Sequence, residues 1–290
     1  MATSSMQTRR KVLKSLGLTI ASIPILGLVA CNSSKNETNI ANVETTSSDT
    51  TTLPDTTSSS ETGNWLVGTT DLITDNFPED TLFETTTACT IALTGSTTEG
   101  PCYFAAESSN DISTGISGLP MMLCLQLIDS NCNPLAGYEI SVWHCDTQGV
   151  YSADTSDSAD SSRFAGNFCT GGNKEAEKST WFRGELITDS NGRVNFKSCF
   201  PGWYSGRTIH IHFRVKNNNS DSVISQFCFT DQLTEDICTT HSEYSARGTQ
   251  DTPLSGGRDT VFGSSYDEFQ FNTQQNSDGS LLAYKTIQIN

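Results

Sequence analysis

The stretch Pro201-Gly202-Trp203-Tyr204-Ser205-Gly206-Arg207-Thr208-Ile209-His210-Ile211-His212-Phe213 decides how this chain is read. In an extended strand successive side chains alternate faces, so Ile209, Ile211 and Phe213 share one side while His210 and His212 share the other. The apolar side suits a core. The two imidazoles then project together, their Cα atoms about 6.5 Å apart, a spacing that lets both rings tip towards one metal. Tyr204 precedes them across a Ser205-Gly206 turn that can fold the phenol back over the same site. Strict alternation sends Arg207 to the face opposite the histidines, unless the chain is still irregular at that position.

Which metal this half-site suits depends on the phenol. Zinc sites favour three or four Cys/His ligands, and Cys199 and His144 are at hand in the sequence. A phenolate oxygen is a hard anionic donor better matched to ferric iron, so Tyr204 as a ligand selects iron. A second phenol lies upstream, in Ile140-Ser141-Val142-Trp143-His144-Cys145-Asp146-Thr147-Gln148-Gly149-Val150-Tyr151-Ser152. Further motifs fall around it: Thr98-Glu99-Gly100-Pro101 before, then Phe182-Arg183-Gly184, Thr188-Asp189-Ser190-Asn191-Gly192, the opening stretch itself, and Ser225-Gln226-Phe227. In this order, from about Cys89 to Phe229, the motifs resemble those of the intradiol ring-cleavage dioxygenases, the family of protocatechuate and catechol dioxygenases, and most of all its exported single-chain members.

The resemblance implies an all-β fold, an antiparallel β-sandwich, holding one non-haem Fe(III). By the same resemblance Tyr151 is the equatorial phenolate, Tyr204 the axial one that substrate displaces and that then acts as a base, and His210 and His212 the histidine pair. Arg207 matches the active-site arginine that stabilises negative charge on the organic intermediate, and Gln226 matches the family's glutamine in the following strand. The implied reaction opens a catechol-type ring with O2 to a muconate-type diacid. Two departures stand out. Five residues separate Tyr204 from His210, where members often carry a longer insertion, and Cys102 stands where many have a tyrosine. Both change the expected pocket wall.

Two other readings compete. A non-catalytic surface binding module could keep the same sandwich, and a zinc or copper site could use His210, His212 and a cysteine, though it leaves both tyrosine motifs unexplained. His144 and His241 are read as structural or surface groups. Asp154, Asp157 and Asp160 form an acidic loop, with calcium as the less favoured reading.

The ends of the chain point to export. Thr8-Arg9-Arg10-Lys11-Val12-Leu13-Lys14 resembles a twin-arginine signal, residues 16–30 form a short apolar region, and Leu28-Val29-Ala30-Cys31 resembles a bacterial lipobox. Pro24 and Gly27 interrupt the apolar run, which is too short for a spanning helix. Cys31 is the expected lipidation site, and Asn32 after it lacks the acidic residue that retains lipoproteins at the inner membrane. Anchoring to an outer membrane or cell surface is expected. Residues 31–85 read as a Ser/Thr-rich tether with an N-terminal arm, whose Trp65, Leu66, Leu72, Ile73, Phe77 and Phe83 could dock on the main domain. Residues 86–290 read as the catalytic domain.

Expected strands fall at residues 123–128, 139–143, 182–187, 193–196, 209–215, 223–229 and 284–289, with turns at Asp129-Ser130-Asn131 and Asn191-Gly192 and no long helical periodicity. The formal net charge is −16, and loss of residues 1–30, with four basic residues and no acids, makes it −20. Such a surface repels phosphate backbones and excludes nucleic acid as a partner. Of ten cysteines, nine remain beside Cys31 and none forms a Cys-x-x-Cys, which points to structural disulfides with at least one cysteine left over.

Overall fold

The computed structural model describes residues 64–83, 93–153, 161–164 and 166–290. The expectations for residues 1–63, including Cys31, and for Asp154, Asp157 and Asp160 lie outside these. Two four-stranded sheets enclose the main core. The first has the order β4-β1-β8-β7, from β1 (Pro120–Ile128), β4 (Arg193–Cys199), β7 (Asn272–Gln275) and β8 (Leu281–Gln288). The second has the order β3-β2-β5-β6, from β2 (Glu139–Trp143), β3 (Arg183–Ile187), β5 (His210–Asn217) and β6 (Ser220–Cys228).

Alternation explains the layering. Met121, Leu123, Leu125 and Leu127 of β1 point into the inter-sheet core, where they join Ile140 and Val142 of β2 and Ile211, Phe213 and Val215 of β5. Met122 and Cys124, on the other face of β1, are covered by Ile73, Phe77, Leu82 and Phe83 of the N-terminal segment. β1 is thus buried on both faces, as its almost unbroken apolar run Met121-Met122-Leu123-Cys124-Leu125 requires. Phe213 stacks on Phe227 at 4.4 Å and 20°, locking β5 to β6 from the core side.

The expected antiparallel sandwich is present, with one parallel ladder in it. β8 runs parallel to β1, with Met121 beside Leu281 and Ile128 beside Gln288, while every other ladder is antiparallel. A parallel neighbour needs a long connection, and more than 150 residues of chain separate these two strands. β7 was not expected from the sequence, because Asn272-Thr273-Gln274-Gln275 is a polar edge strand. Helix α1 (Asp231–Thr240) was missed too. Its Thr230 cap accepts from the Leu233 N–H at 3.3 Å, and it buries Thr234, Ile237 and Cys238. The helix also supports the entry to β5: Thr234 Oγ1 holds Gln250, whose Oε1 accepts from Ile209 N at 2.8 Å and Thr208 Oγ1 at 3.1 Å.

The cysteines divide. Cys102 and Cys169 form a disulfide, and Cys132 is also disulfide-bonded. The expected structural disulfides thus form, while Cys124, Cys145, Cys199, Cys228 and Cys238 are free and buried and pack as small apolar groups. Burial pushes the Cys124, Cys199 and Cys228 thiols up to about 12. Cys199 packs with Ala176, Trp181 and Phe182 and has no place beside His210 or His212.

Candidate metal centre

β5 delivers His210 and His212 to the outer face of the second sheet, where both are buried. His212 lies opposite Trp143 of β2 in register and stacks on its indole at 4.9 Å and 12°. His210 Nδ1 donates to Thr208 O at 2.6 Å, which leaves its Nε2 as a bare lone pair aimed inward. Pairing across β5 and β6 sets Gln226 opposite His212.

The two phenols come from loops packed backbone to backbone. Gly149 has φ +77°, and a Cβ there would run into the Trp203 carbonyl. A Cβ on Gly202 would in turn strike Thr147 O. Only glycine permits this crossing, and Gly202 N seals it by donating to Asp146 O at 2.9 Å. The crossing places Tyr151 and Tyr204 with ring centroids 5.9 Å apart. Tyr151 is buried and Tyr204 half-buried, so Tyr204 forms the solvent side.

Four donor atoms converge. His210 Nε2 lies 3.1 Å from His212 Nε2, 3.2 Å from Tyr204 Oη and 3.5 Å from Tyr151 Oη, and His212 Nε2 lies 3.1 Å from Tyr151 Oη. Burial drives each group to its neutral form. It takes His210 down to about 3 and His212 well below the usual imidazole range, and it raises both tyrosines, Tyr151 furthest. His212 Nδ1 is buried with no hydrogen-bond partner. Crowded inward-facing donor atoms fit a cation held among them, and two hard oxygens with two imidazoles suit ferric iron. Among the described residues no group of three or more His, Cys, Asp or Glu side chains is placed to hold a metal. His144, the other residue considered for zinc, is buried and spent structurally on Cys145 O and Ser198 Oγ, both at 2.7 Å.

Arg207 sits on the histidine side, the outcome of the irregular-chain alternative rather than of strict alternation. The strand begins only at His210, and the preceding turn, with Arg207 N donating to Tyr204 O and Gly206 at φ +86°, swings the side chain round. Its Nη1 lies 3.5 Å from His210 Nε2 and its Nη2 donates to Gln226 Oε1 at 2.6 Å. Nε pairs at 3.0 Å with Asp259, whose side chain is fully buried. Burial pushes the Asp259 carboxyl up, but Arg207 and the N–H groups of Phe262, Thr208 and Val261 outweigh it and hold the group below the usual range. Gln226 Nε2 is fixed by Thr98 O at 2.7 Å. The structure thus brings Tyr151, Tyr204, His210, His212, Arg207 and Gln226 together.

Sequence reasoning missed Trp143 as the plate behind His212 and Asp259 as the anchor of Arg207. The Trp143 signal was readable, since β2 was expected and its end abuts the motif; Asp259 lies in a stretch without pattern. Arg183 was quoted only as part of a motif. Its guanidinium is buried and donates to Ser152 Oγ, Ser152 O and Cys102 O at 2.6–3.0 Å, with no carboxylate partner among the described residues. It lies over Phe104 at 4.1 Å and 5.9 Å from the Tyr151 ring centroid. Burial lowers it to about 9, with Tyr151 opposing.

A protein-family model described as Dioxygenase matches residues 99–248, which contain both tyrosines, both histidines, Arg207 and Gln226. It belongs to the intradiol ring-cleavage dioxygenases. Among solved structures, an intradiol ring-cleavage dioxygenase from Tetranychus urticae is 24% identical and superposes with a TM-score of 0.55, covering 69% of this chain and 94% of its own. A 3-chlorocatechol 1,2-dioxygenase from Rhodococcus opacus 1CP is 17% identical, with a TM-score of 0.46 and coverages of 68% and 71%. No curated protein matches the chain. As an intradiol dioxygenase it is an oxidoreductase that incorporates O2, which sets aside the non-catalytic binding module. The family generally uses a non-haem Fe(III) and opens catechol rings.

Proposed function

We propose that this dioxygenase holds one Fe(III) through Tyr151, Tyr204, His210 and His212 and opens a catechol-type ring between its two hydroxyl-bearing carbons. The observation that carries the reading is the convergence on His210 Nε2 of the other imidazole nitrogen and both phenol oxygens, at 3.1–3.5 Å. Both atoms of O2 enter the muconate-type diacid, so the reaction balances without an external reductant.

Ferric iron held there would supply a Lewis acid that lowers the pKa of the catechol hydroxyls and an acceptor for ring electron density that makes the ring reactive towards O2. The rest falls to the chain. Trp143, stacked on His212, and Thr208, bonded to His210, fix the two ring orientations. Tyr151 stays in the interior, while Tyr204, on the solvent side, would be a phenolate once its proton is displaced by iron and would then take a proton from an incoming catechol hydroxyl at that oxygen. Arg207, clamped by Asp259 and Gln226, sets a permanent positive charge where negative charge develops on the ring. The buried walls around His210 and His212 exclude water.

The arginine pair and apparent lipobox near the N-terminus support export and lipid anchoring at Cys31, with the enzyme displayed on an outer membrane or cell surface. The functional reading is tested on protein purified from its own host: about one iron per chain, a visible tyrosinate band, and oxygen consumption with catechol. Stoichiometric zinc and a colourless protein would refute it.

A further inference from the structure

Phe164 and Phe168 remain 42% and 43% exposed, although burying either ring would stabilise the fold by about 1.5–3 kcal/mol. They pack on each other at 4.6 Å and 45°. Phe168 also meets Tyr204 edge-on, with ring centroids 6.4 Å apart at 88°. Tyr204 is the solvent-side member of the four donors, so the phenylalanines extend the aromatic surface outward from the mouth of the site.

The backbone beside them is tightly held. Cys169, next to Phe168, is bonded to Cys102, and its carbonyl accepts from Tyr151 N at 2.8 Å. Cys102 O in turn takes a hydrogen bond from buried Arg183 at 2.6 Å. The Phe168 ring thus has a fixed address beside the disulfide and the tyrosine loop, with Phe164 packed on it and a large part of both rings left exposed. Resting on the catechol-cleaving reading above, we propose that Phe164 and Phe168 form a substrate subsite that favours catechols bearing an aryl or other bulky apolar substituent over unsubstituted or carboxylated ones. Offset or edge packing of a second ring there gains about 0.5–1.5 kcal/mol beyond buried area. The net charge, −16 for the whole chain and −20 without residues 1–30, further disfavours a carboxylate.

The test compares catechol, 4-phenylcatechol and 3,4-dihydroxybenzoate on wild type, Phe168→Ala and Phe164→Ala. The wild type is expected to prefer 4-phenylcatechol, and each alanine variant to lower the kcat/KM ratio of 4-phenylcatechol to catechol, Phe168→Ala by about tenfold. A ratio unchanged in both folded variants, or a wild-type preference for the carboxylate, overturns the subsite. Anaerobic titration with the same compounds separates the two readings. If no ring is opened yet 4-phenylcatechol binds the wild type more tightly than Phe168→Ala, ring cleavage falls and the subsite stands; equal binding removes the subsite whatever the turnover.

Discussion

Arg207→Ala removes two things at once, and the geometry separates them. The first is the partner of a carboxylate whose side chain is wholly buried. Breaking a buried ion pair from one side costs about 3–5 kcal/mol, because the remaining charge is left uncompensated. Asp259 keeps hydrogen bonds from the N–H groups of Thr208, Val261 and Phe262, so the lower end, about 3 kcal/mol, is expected. For a domain of this size that lowers Tm by about 6–12 °C. The second loss is the charge beside the ring, for which turnover should fall about 10²–10³-fold.

Adding Asp259→Asn separates these effects. Without a stranded carboxylate the double variant should regain at least half of the lost stability, and its turnover should stay as low as that of Arg207→Ala. The pH dependence has a definite sign. Asp259 titrates below its unfolded value, so its stabilising contribution is present above the usual carboxylate range and is lost as pH falls through the folded value. In Arg207→Ala burial prevails and Asp259 takes up a proton sooner, so the gap to wild type narrows on acidification. Urea unfolding across pH, with oxygen uptake on a catechol, reads both quantities. A double variant that turns over at the wild-type rate would refute the electrostatic role of Arg207.

Tyr151→Phe and Tyr204→Phe should each bleach or shift the visible band, read by absorption of protein with its iron quantified; two unchanged spectra would remove the phenols from the metal. Cys31→Ser should move the enzyme from the membrane to the soluble fraction with activity intact, as fractionation would show. His144 is held near pKa 4 by burial, below its unfolded 6.5, so iron-loaded protein should lose up to about 3 kcal/mol of stability as pH falls across that window, and His144→Gln should flatten the slope in urea titrations. Gly149→Ala should part the two tyrosine loops and lower iron content, measured by metal analysis, because its Cβ has no room beside Trp203 O.

Strands with apolar alternation were legible: β2 was read residue for residue, and β5 betrayed its buried and site faces through Ile211 and Phe213 against His210 and His212. β7 was invisible because a polar edge strand is stabilised by its ladder to β8, which no local pattern records. The parallel β1–β8 pairing is a long-range choice that alternation does not encode. α1 has only Leu233 and Ile237 as an apolar pair one turn apart, too little for a periodic signal. At the site, types and order located the four donors. At Arg207 alternation left the side chain's face open, because the strand starts only at His210.

The disulfide between Cys102 and Cys169 bears on the order of maturation. Twin-arginine export, as proposed for this chain, carries folded protein out of a compartment that keeps thiols reduced. The sheets, the crossing of Gly149 and Gly202 and the donor quartet use no cysteine bridge, so they can assemble, and take up metal, before export. On that proposal the bond next to Phe168 would form only afterwards, in oxidising surroundings. An enzyme still in the cytoplasm would therefore be complete at its centre and unfinished at its mouth, acquiring its substrate preference on arrival outside.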